Sequence, residues 1–237
     1  MVSDLFRSPL YDDHVSSGAV MAEEAGWEIP LHYGDPAAEA ARARAAAGVA
    51  DVTHLGRIRV RGDGAGDLVG RLCGDGALRQ EDDTVRPVIV RDAGGRTLDT
   101  ARLVRLEGMW LLLTSPAGRT KVLAYAAEAA AATEAKADDQ TDKTVMIAVV
   151  GPLAAGVLDA VLPIRISDMA DGAARTGSVI VARYIALRSD IGSLWRMEVI
   201  LPTMLAGRAW RFITEKAGPN RIAPCGWAAM KLLQGES

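Results

Sequence analysis

The sequence predicts an α+β fold in two halves, and three observations carry that expectation. A chain of 237 residues suffices for one large domain or for two of about 100 residues each. Strand-like and helix-like stretches mix along the chain, and the same order of elements returns after a polar segment at 137–143. Each half then offers strands with two helices, a repeated α+β pattern and not one doubly wound sheet. The expected division is 1–140 and 141–237.

Composition narrows the classes. With 49% hydrophobic and 24% charged residues, the chain has the balance of an ordinary globular protein. A net charge of −3 argues against general binding to nucleic acid or to an anionic membrane surface, both of which favour a basic excess. No apolar run reaches the roughly 20 residues that cross a bilayer, because 145–162 is broken by Gly151, Pro152, Gly156 and Asp159. The first residues show no basic segment followed by an apolar run, so the expected compartment is the cytoplasm. Cys73 and Cys225 lie far apart without a CxxC, which favours buried free thiols over a metal site.

Taken in order, residues 10–48 are expected to be helical in two parts, with a turn around Pro30 and Gly34. Asp35-Pro36 is a strong helix start, with an N-cap carboxylate and a proline at the first helical position. The run 37–47 is rich in Ala, Glu and Arg, and Gly48 can close it. In 56–61, Ile58 and Val60 alternate with Arg57, Arg59 and Arg61, a strand with one wet face. A glycine turn at 62–66 leads to a short helix at 67–73. Strands at 85–91 and 101–106 flank the hairpin signal Asp92-Ala-Gly-Gly95, and 110–114 is a further strand. An alanine-rich helix spans 119–136, and 137–143 is expected to be a linker. The second half repeats strand 145–150, helix 152–161, strands 177–186 and 195–201, and helix 204–217.

Few motifs point to chemistry on their own. The loop Gly62-Asp-Gly-Ala-Gly66 lacks the Lys-Ser/Thr of a phosphate cradle and reads as a turn. His14, His32 and His54 have neither i,i+4 spacing nor CxxC partners, so no metal is expected. No G-x-S-x-G supports a Ser-His-Asp hydrolase. Two acids stand out. Asp99 follows the hairpin turn where strand alternation resumes, so it can orient an amine or accept a proton from a rigid strand; a solvated turn residue is the plain alternative. Glu198 lies on the apolar strand Trp195-Arg-Met-Glu-Val-Ile-Leu, where a buried acid needs hydrogen-bond donors. A heterocycle with paired N–H and NH2 groups would supply them, as would Arg183 or Arg196.

The densest cluster of unusual residues, 10–34, holds two histidines, two tyrosines, a tryptophan and a proline. Its blocks Leu10-Tyr-Asp-Asp-His-Val and Gly26-Trp-Glu-Ile-Pro-Leu-His-Tyr-Gly34, with Asp51-Val-Thr-His-Leu-Gly-Arg57, resemble the N-terminal signature of the glycine cleavage T-protein (aminomethyltransferase) family. Asp92-Ala-Gly-Gly-Arg-Thr-Leu-Asp99 is similar to the family's glycine turn and catalytic aspartate. Val149-Val-Gly-Pro152, Met197-Glu-Val199 and Pro224-Cys-Gly226 resemble later blocks.

The resemblance implies two ferredoxin-like α+β halves around a central channel for tetrahydrofolate, and transfer of a one-carbon unit between a small donor and folate N5. It implies that Asp99 is catalytic and that Glu198 holds the pterin. Leu55, Ser115, Arg188, Trp27 and Tyr33 fall at further folate-site or channel-wall positions. The chain also departs from the family pattern: Ile191 replaces a channel tyrosine, Ser115 an asparagine, Arg86 a tyrosine and Met230 an arginine. The C-terminal β-barrel of full-length T-proteins is absent from 1–237, so another subunit or a homo-oligomer is expected to complete the protein. Two functions follow from the resemblance: a folate-dependent methyl or methylene transferase acting on a small amine or methoxy compound, or a noncatalytic folate-binding subunit like the short T-protein-like subunit of heterotetrameric sarcosine oxidases.

Overall fold

The stretch 10–34 leaves the helix after little more than one turn and becomes a hairpin. In the computed structural model, which describes residues 5–162, 165–179, 182–218 and 221–235, the chain opens with β1 (Phe6–Arg7), α1 (Tyr11–Ser16), β2 (Val20–Glu24) and β3 (Trp27–His32). Strands β2 and β3 pair antiparallel up to Glu24 opposite Trp27, leaving a two-residue turn. Both turn residues, Ala25 (φ 49°) and Gly26 (φ 83°), have positive φ, the geometry that matches the right-handed twist of a hairpin. The helix expected here fails because helix-forming Met21, Ala22 and Glu23 are overridden by strand pairing.

Next come α2 (Pro36–Ala45), started by the Asp35 carboxylate accepting the Ala37 N–H at 2.9 Å, and β4 (Gly48–Asp51). They are followed by β5 (Gly56–Arg61), α3 (Ala65–Cys73), β6 (Thr84–Arg91), β7 (Thr97–Leu106), β8 (Met109–Thr114), α4 (Arg119–Ala130) and β9 (Lys136–Asp139). The rest of the chain holds β10 (Thr144–Val150), α5 (Ala154–Val161), β11 (Ala174–Val179), β12 (Ala182–Arg188), β13 (Arg196–Pro202), α6 (Ala206–Ala217), β14 (Ala223–Pro224) and α7 (Trp227–Gln234).

These elements form two compact units that do not follow the linear division at residue 140. One holds the chain up to His54, Thr144–Asp171 and the chain from Gly177 onward; the other holds Leu55–Lys143 and Gly172–Thr176. The cause is strand pairing across a long sequence separation: β10 lies antiparallel to β4, with Val149 opposite Val49. That pairing draws the N-terminal residues into the unit formed mainly by the second half.

The first unit contains a three-stranded sheet ordered β1-β3-β2 and, apart from the first residues of β11, a six-stranded sheet ordered β11-β12-β13-β10-β4-β14. Strands β10 and β13 are its centre, and Val145 through Val150 and Arg196 through Leu201 are all buried.

The second unit is a five-stranded sheet ordered β6-β7-β8-β5-β9 with α3 and α4 on one face. Ile58, Val60, Leu103 and Leu112 of the sheet pack there against Leu68, Leu72, Val122 and Ala126. The expected linker 137–143 proves to begin with an edge strand, since β9 pairs with β5. Its acids are held by the arginines of the expected wet face: Asp138 accepts from Arg59 at 3.1 Å and Arg61 at 3.0 Å. Arg57, on that same face, is fully buried, and its guanidinium donates to the Leu55 and Thr141 carbonyls. Among the described residues, no helix is long and apolar enough to cross a membrane, and no group of His, Cys, Asp or Glu suits a metal ion.

Candidate functional site

Asp99 is set by a defect in the β6–β7 ladder. The register runs Val90 to Asp99 and then Arg91 to Thr97, so Leu98 is an extra residue opposite the partner strand. Such a bulge re-aims the side chains beside it. Asp99 keeps the parity of buried Ala101 and Leu103, and so faces the helices of its unit. There it meets the turn that leads into α4. Its Oδ2 accepts the Ser115 N–H at 2.8 Å, and its Oδ1 accepts the Ser115 hydroxyl at 2.7 Å. The Ser115 Oγ in turn accepts the Gly118 N–H at 2.9 Å. The carboxylate crowds so close to Gly118 that a Cβ there would lie 2.3 Å from the Asp99 Cγ, which only glycine permits. Asp99 is half-buried, with each oxygen engaged once. A carboxylate held this way retains lone pairs for an incoming N–H or proton.

Glu198 occupies the central strand β13 of the other unit and is 2% exposed. Its directly opposed neighbours are Leu187 on β12 and Ala148 on β10, so this acid sits in an apolar stretch of sheet. Of the two arginines considered as its partners, Arg183 is exposed, and Arg196 donates to the Ser189 carbonyl at 2.7 Å and to the Ser189 hydroxyl at 3.0 Å; Glu198 and Arg196 each make further interactions besides.

The other residues singled out in the sequence make these contacts. Arg188 forms a two-point pair with Asp190 at 3.1 and 2.8 Å, which raises its own affinity for the proton through that bond and holds Asp190 below the usual carboxylate range. For Asp190, burial acts in the upward direction, and the bonds from Arg188 and the Arg196 N–H outweigh it. Leu55 is partly exposed and gives its carbonyl to Arg57. Trp27 is buried against Phe6, with ring centroids 5.5 Å apart.

Tyr33 belongs to a chain of buried polar groups that the sequence did not disclose. Its hydroxyl lies 2.8 Å from His14 Nδ1, and His14 Nε2 lies 3.0 Å from Asp51 Oδ2. Asp51 Oδ1 accepts the Thr53 N–H at 2.9 Å, and the Thr53 hydroxyl accepts the Met146 N–H. His14 is 0% exposed and also packs edge-on against Trp210 at 4.9 Å. Burial pushes the Asp51 carboxyl up, but the hydrogen bond and charge of His14, with bonds from Ser8 and Thr53, overcome it and hold Asp51 at about 2. Burial, then the nearby acids Asp51 and Glu39, push the Tyr33 hydroxyl upward, so it stays protonated.

Comparison with known proteins gives these positions a context. The family model described as the GCVT N-terminal domain matches residues 10–237. The chain belongs to this family. Curated relatives named aminomethyltransferase include those of Streptomyces avermitilis, 29% identical over 230 residues, and Rubrobacter xylanophilus, 31% identical over 243 residues. The matches cover 94% and 98% of this chain but 60% and 62% of the relatives, so the chain spans about three fifths of their length. The solved structure of glycine cleavage system aminomethyltransferase T from Bartonella henselae superposes with a TM-score of 0.87 at 26% identity, over 97% of this chain and 62% of that one. A chain of the heterotetrameric sarcosine oxidase from Corynebacterium sp. U-96 shares the fold at a TM-score of 0.58 and 12% identity, with 98% of each chain covered.

The α+β class is therefore that of the T-protein N-terminal domains. Within this GCVT N-terminal domain a second unforeseen residue is Glu39 of α2. Its Oε1 accepts the Tyr33 N–H at 2.6 Å and its Oε2 the Gly226 N–H at 2.8 Å. One acid thereby ties the end of β3 to the start of α7, where a Cβ on Gly226 would meet the Leu31 carbonyl at 2.3 Å. The available signals were faint: His14 and Asp51 stand 37 residues apart, and Glu39 and Gly226 187 apart.

Proposed function

We propose that this GCVT N-terminal domain works in tetrahydrofolate-dependent one-carbon transfer, acting on a small amine or methoxy donor. The observation that carries this reading is Asp99, the acid that the sequence resemblance aligns with the family's catalytic aspartate, set beside a bulge and held through both oxygens by Ser115. In this reading Asp99 orients the donor's amine or ether and takes or returns a proton at a carboxylate oxygen. Glu198 fits the pterin by the chemistry of its donors, since a carboxylate accepts two parallel bonds from an N–H and an NH2 group. Tetrahydrofolate supplies the N5 position that carries the one-carbon unit. The Arg188–Asp190 pair fixes the loop after β12, where Arg188, already paired, would act as a supporting contact and not as a charged ligand of the folate.

Asp99→Asn keeps size and polarity but removes the charge and the basic oxygen. Transfer from a panel of N-methylamines and aryl methyl ethers to tetrahydrofolate is expected to vanish, with tetrahydrofolate affinity changed by no more than a few-fold. Wild-type transfer rates in Asp99→Asn would remove the catalytic role.

A second reading is a noncatalytic folate-binding subunit of a larger enzyme. It is supported by the fold likeness to a chain of a heterotetrameric sarcosine oxidase and by Ile191 and Arg86 at tyrosine positions of the family. Tetrahydrofolate binding without transfer by the wild type, together with co-purification of a second chain, would favour it.

A further inference from the structure

Ser115 stands where the family resemblance implied a folate contact, yet its side chain is already committed. The hydroxyl donates its one proton to Asp99 Oδ1 and accepts the Gly118 N–H, while its backbone N–H reaches Asp99 Oδ2. Both donors of Ser115 therefore converge on one carboxylate, and they do so from a turn that is itself closed by the Arg119 N–H bonding to the Ser115 carbonyl at 3.1 Å. The turn continues directly into α4, twelve residues long, so the clamp is anchored to a regular element. On the other side Asp99 is held by the β6–β7 ladder, where it pairs with Val90 beside the bulge. A carboxylate fixed from two sides loses the rotation about its last bond that an exposed aspartate keeps.

From this geometry we propose that Ser115 is the positioning residue for Asp99, and that Gly118 is the clearance which lets the pair form. The inference rests on the folate-transfer reading above and deepens it. Ser115 contacts neither donor nor folate; it sets the plane of the Asp99 carboxylate, so that the lone pairs left over point in one direction. In place of the family's asparagine, the shorter serine hydroxyl reaches the carboxylate only because Gly118 lets the turn close onto it. Substitution at Ser115 should therefore affect the rate and spare binding.

The test combines activity with a readout that needs none. In Ser115→Ala the backbone bond to Oδ2 survives and the hydroxyl bond to Oδ1 is lost. Its kcat for methyl transfer to tetrahydrofolate should fall about tenfold or more, with KM for tetrahydrofolate within about twofold, the signature of an interaction that acts on the reaction and not on binding. Ser115→Thr keeps the hydroxyl and should restore kcat to within about threefold of wild type. Hydrogen exchange measured on the intact chain should show the Ser115 amide protected in wild type and in Ser115→Ala, and exposed in Asp99→Ala. A wild-type kcat in Ser115→Ala would overturn the proposal, as would an unchanged kcat with a tenfold higher KM, which would make Ser115 a direct folate contact. A Ser115 amide that exchanges at the same rate in wild type and Asp99→Ala would also overturn it by removing the clamp itself. Absence of tetrahydrofolate binding by the wild type, with the amide still protected through Asp99, would instead defeat the folate reading and with it any role of the intact clamp in that transfer.

Discussion

Replacing Asp51 with asparagine separates what a buried carboxylate does from what its shape does. Among its bonds, Asp51 accepts His14 Nε2 at 3.0 Å on one oxygen and the Thr53 N–H at 2.9 Å on the other. An amide offers one oxygen, so in Asp51→Asn one of these donors faces an NH2 group at a buried position. Losing a hydrogen bond to a buried charged group costs roughly 1.5–3 kcal/mol, and the unmatched donor adds to that. The pH dependence follows from the direction of the carboxyl's shift. Its folded value, about 2, lies below the ordinary 3.8, so ionised Asp51 stabilises the fold fully above pH 3.8. That contribution, about 2 kcal/mol for a shift of this size, is lost as pH falls through 3.8 toward 2. Urea unfolding of wild type and Asp51→Asn at a series of pH values from 7 to 2 measures both effects. The difference in stability should be largest at pH 7 and shrink by about 2 kcal/mol by pH 2. A difference that stays constant over that range would refute the stabilising ionised Asp51, and so would an Asp51→Asn variant as stable as wild type at pH 7.

Three further outcomes follow from named contacts. Gly118→Ala puts a methyl group 2.3 Å from the Asp99 Cγ, so it should abolish the proposed transfer while circular dichroism shows the fold retained; full activity would mean that the approach of Asp99 to the turn is not required. Glu39→Ala removes the acceptor of both the Tyr33 and Gly226 N–H groups and should lower stability by about 2–4 kcal/mol in urea unfolding, against a loss below about 0.5 kcal/mol if the bridge were incidental. Cys225 is buried, and burial followed by the charge of Glu39 pushes its thiol up to about 12, so alkylation at pH 8 should be slow in the native protein and fast in urea; rapid native labelling would contradict its placement.

The regular elements whose causes are local were legible in the sequence. Asp35-Pro36 marked the start of α2, and the glycines after Asp92 marked the β6–β7 turn, because capping and positive φ are paid for within a few residues. The β2–β3 hairpin escaped because its turn is Ala25-Gly26, and alanine is not the residue that announces φ of 49°. Strand β9 escaped because Asp138 and Asp139 look like linker residues until Arg59, Arg61 and Arg119 are placed beside them. The discontinuous units escaped because the pairing of β4 with β10 leaves no local trace. Asp99 and Glu198 drew notice by residue type and strand position, and Ser115 through the family resemblance alone. The bond from Ser115 to Asp99 was not legible, since a sequence shows which residues carry donors and not where a bulge aims them.

The most direct measurement is a calorimetric titration of the chain with tetrahydrofolate, run beside the Glu198→Ala variant. One-carbon transfer through this domain predicts saturable binding by the wild type. It also predicts weakening by roughly 1.5–3 kcal/mol, or about 10- to 150-fold, when the carboxylate proposed to pair with the pterin is removed. No heat of binding to the wild type, or equal affinity in Glu198→Ala, would contradict it.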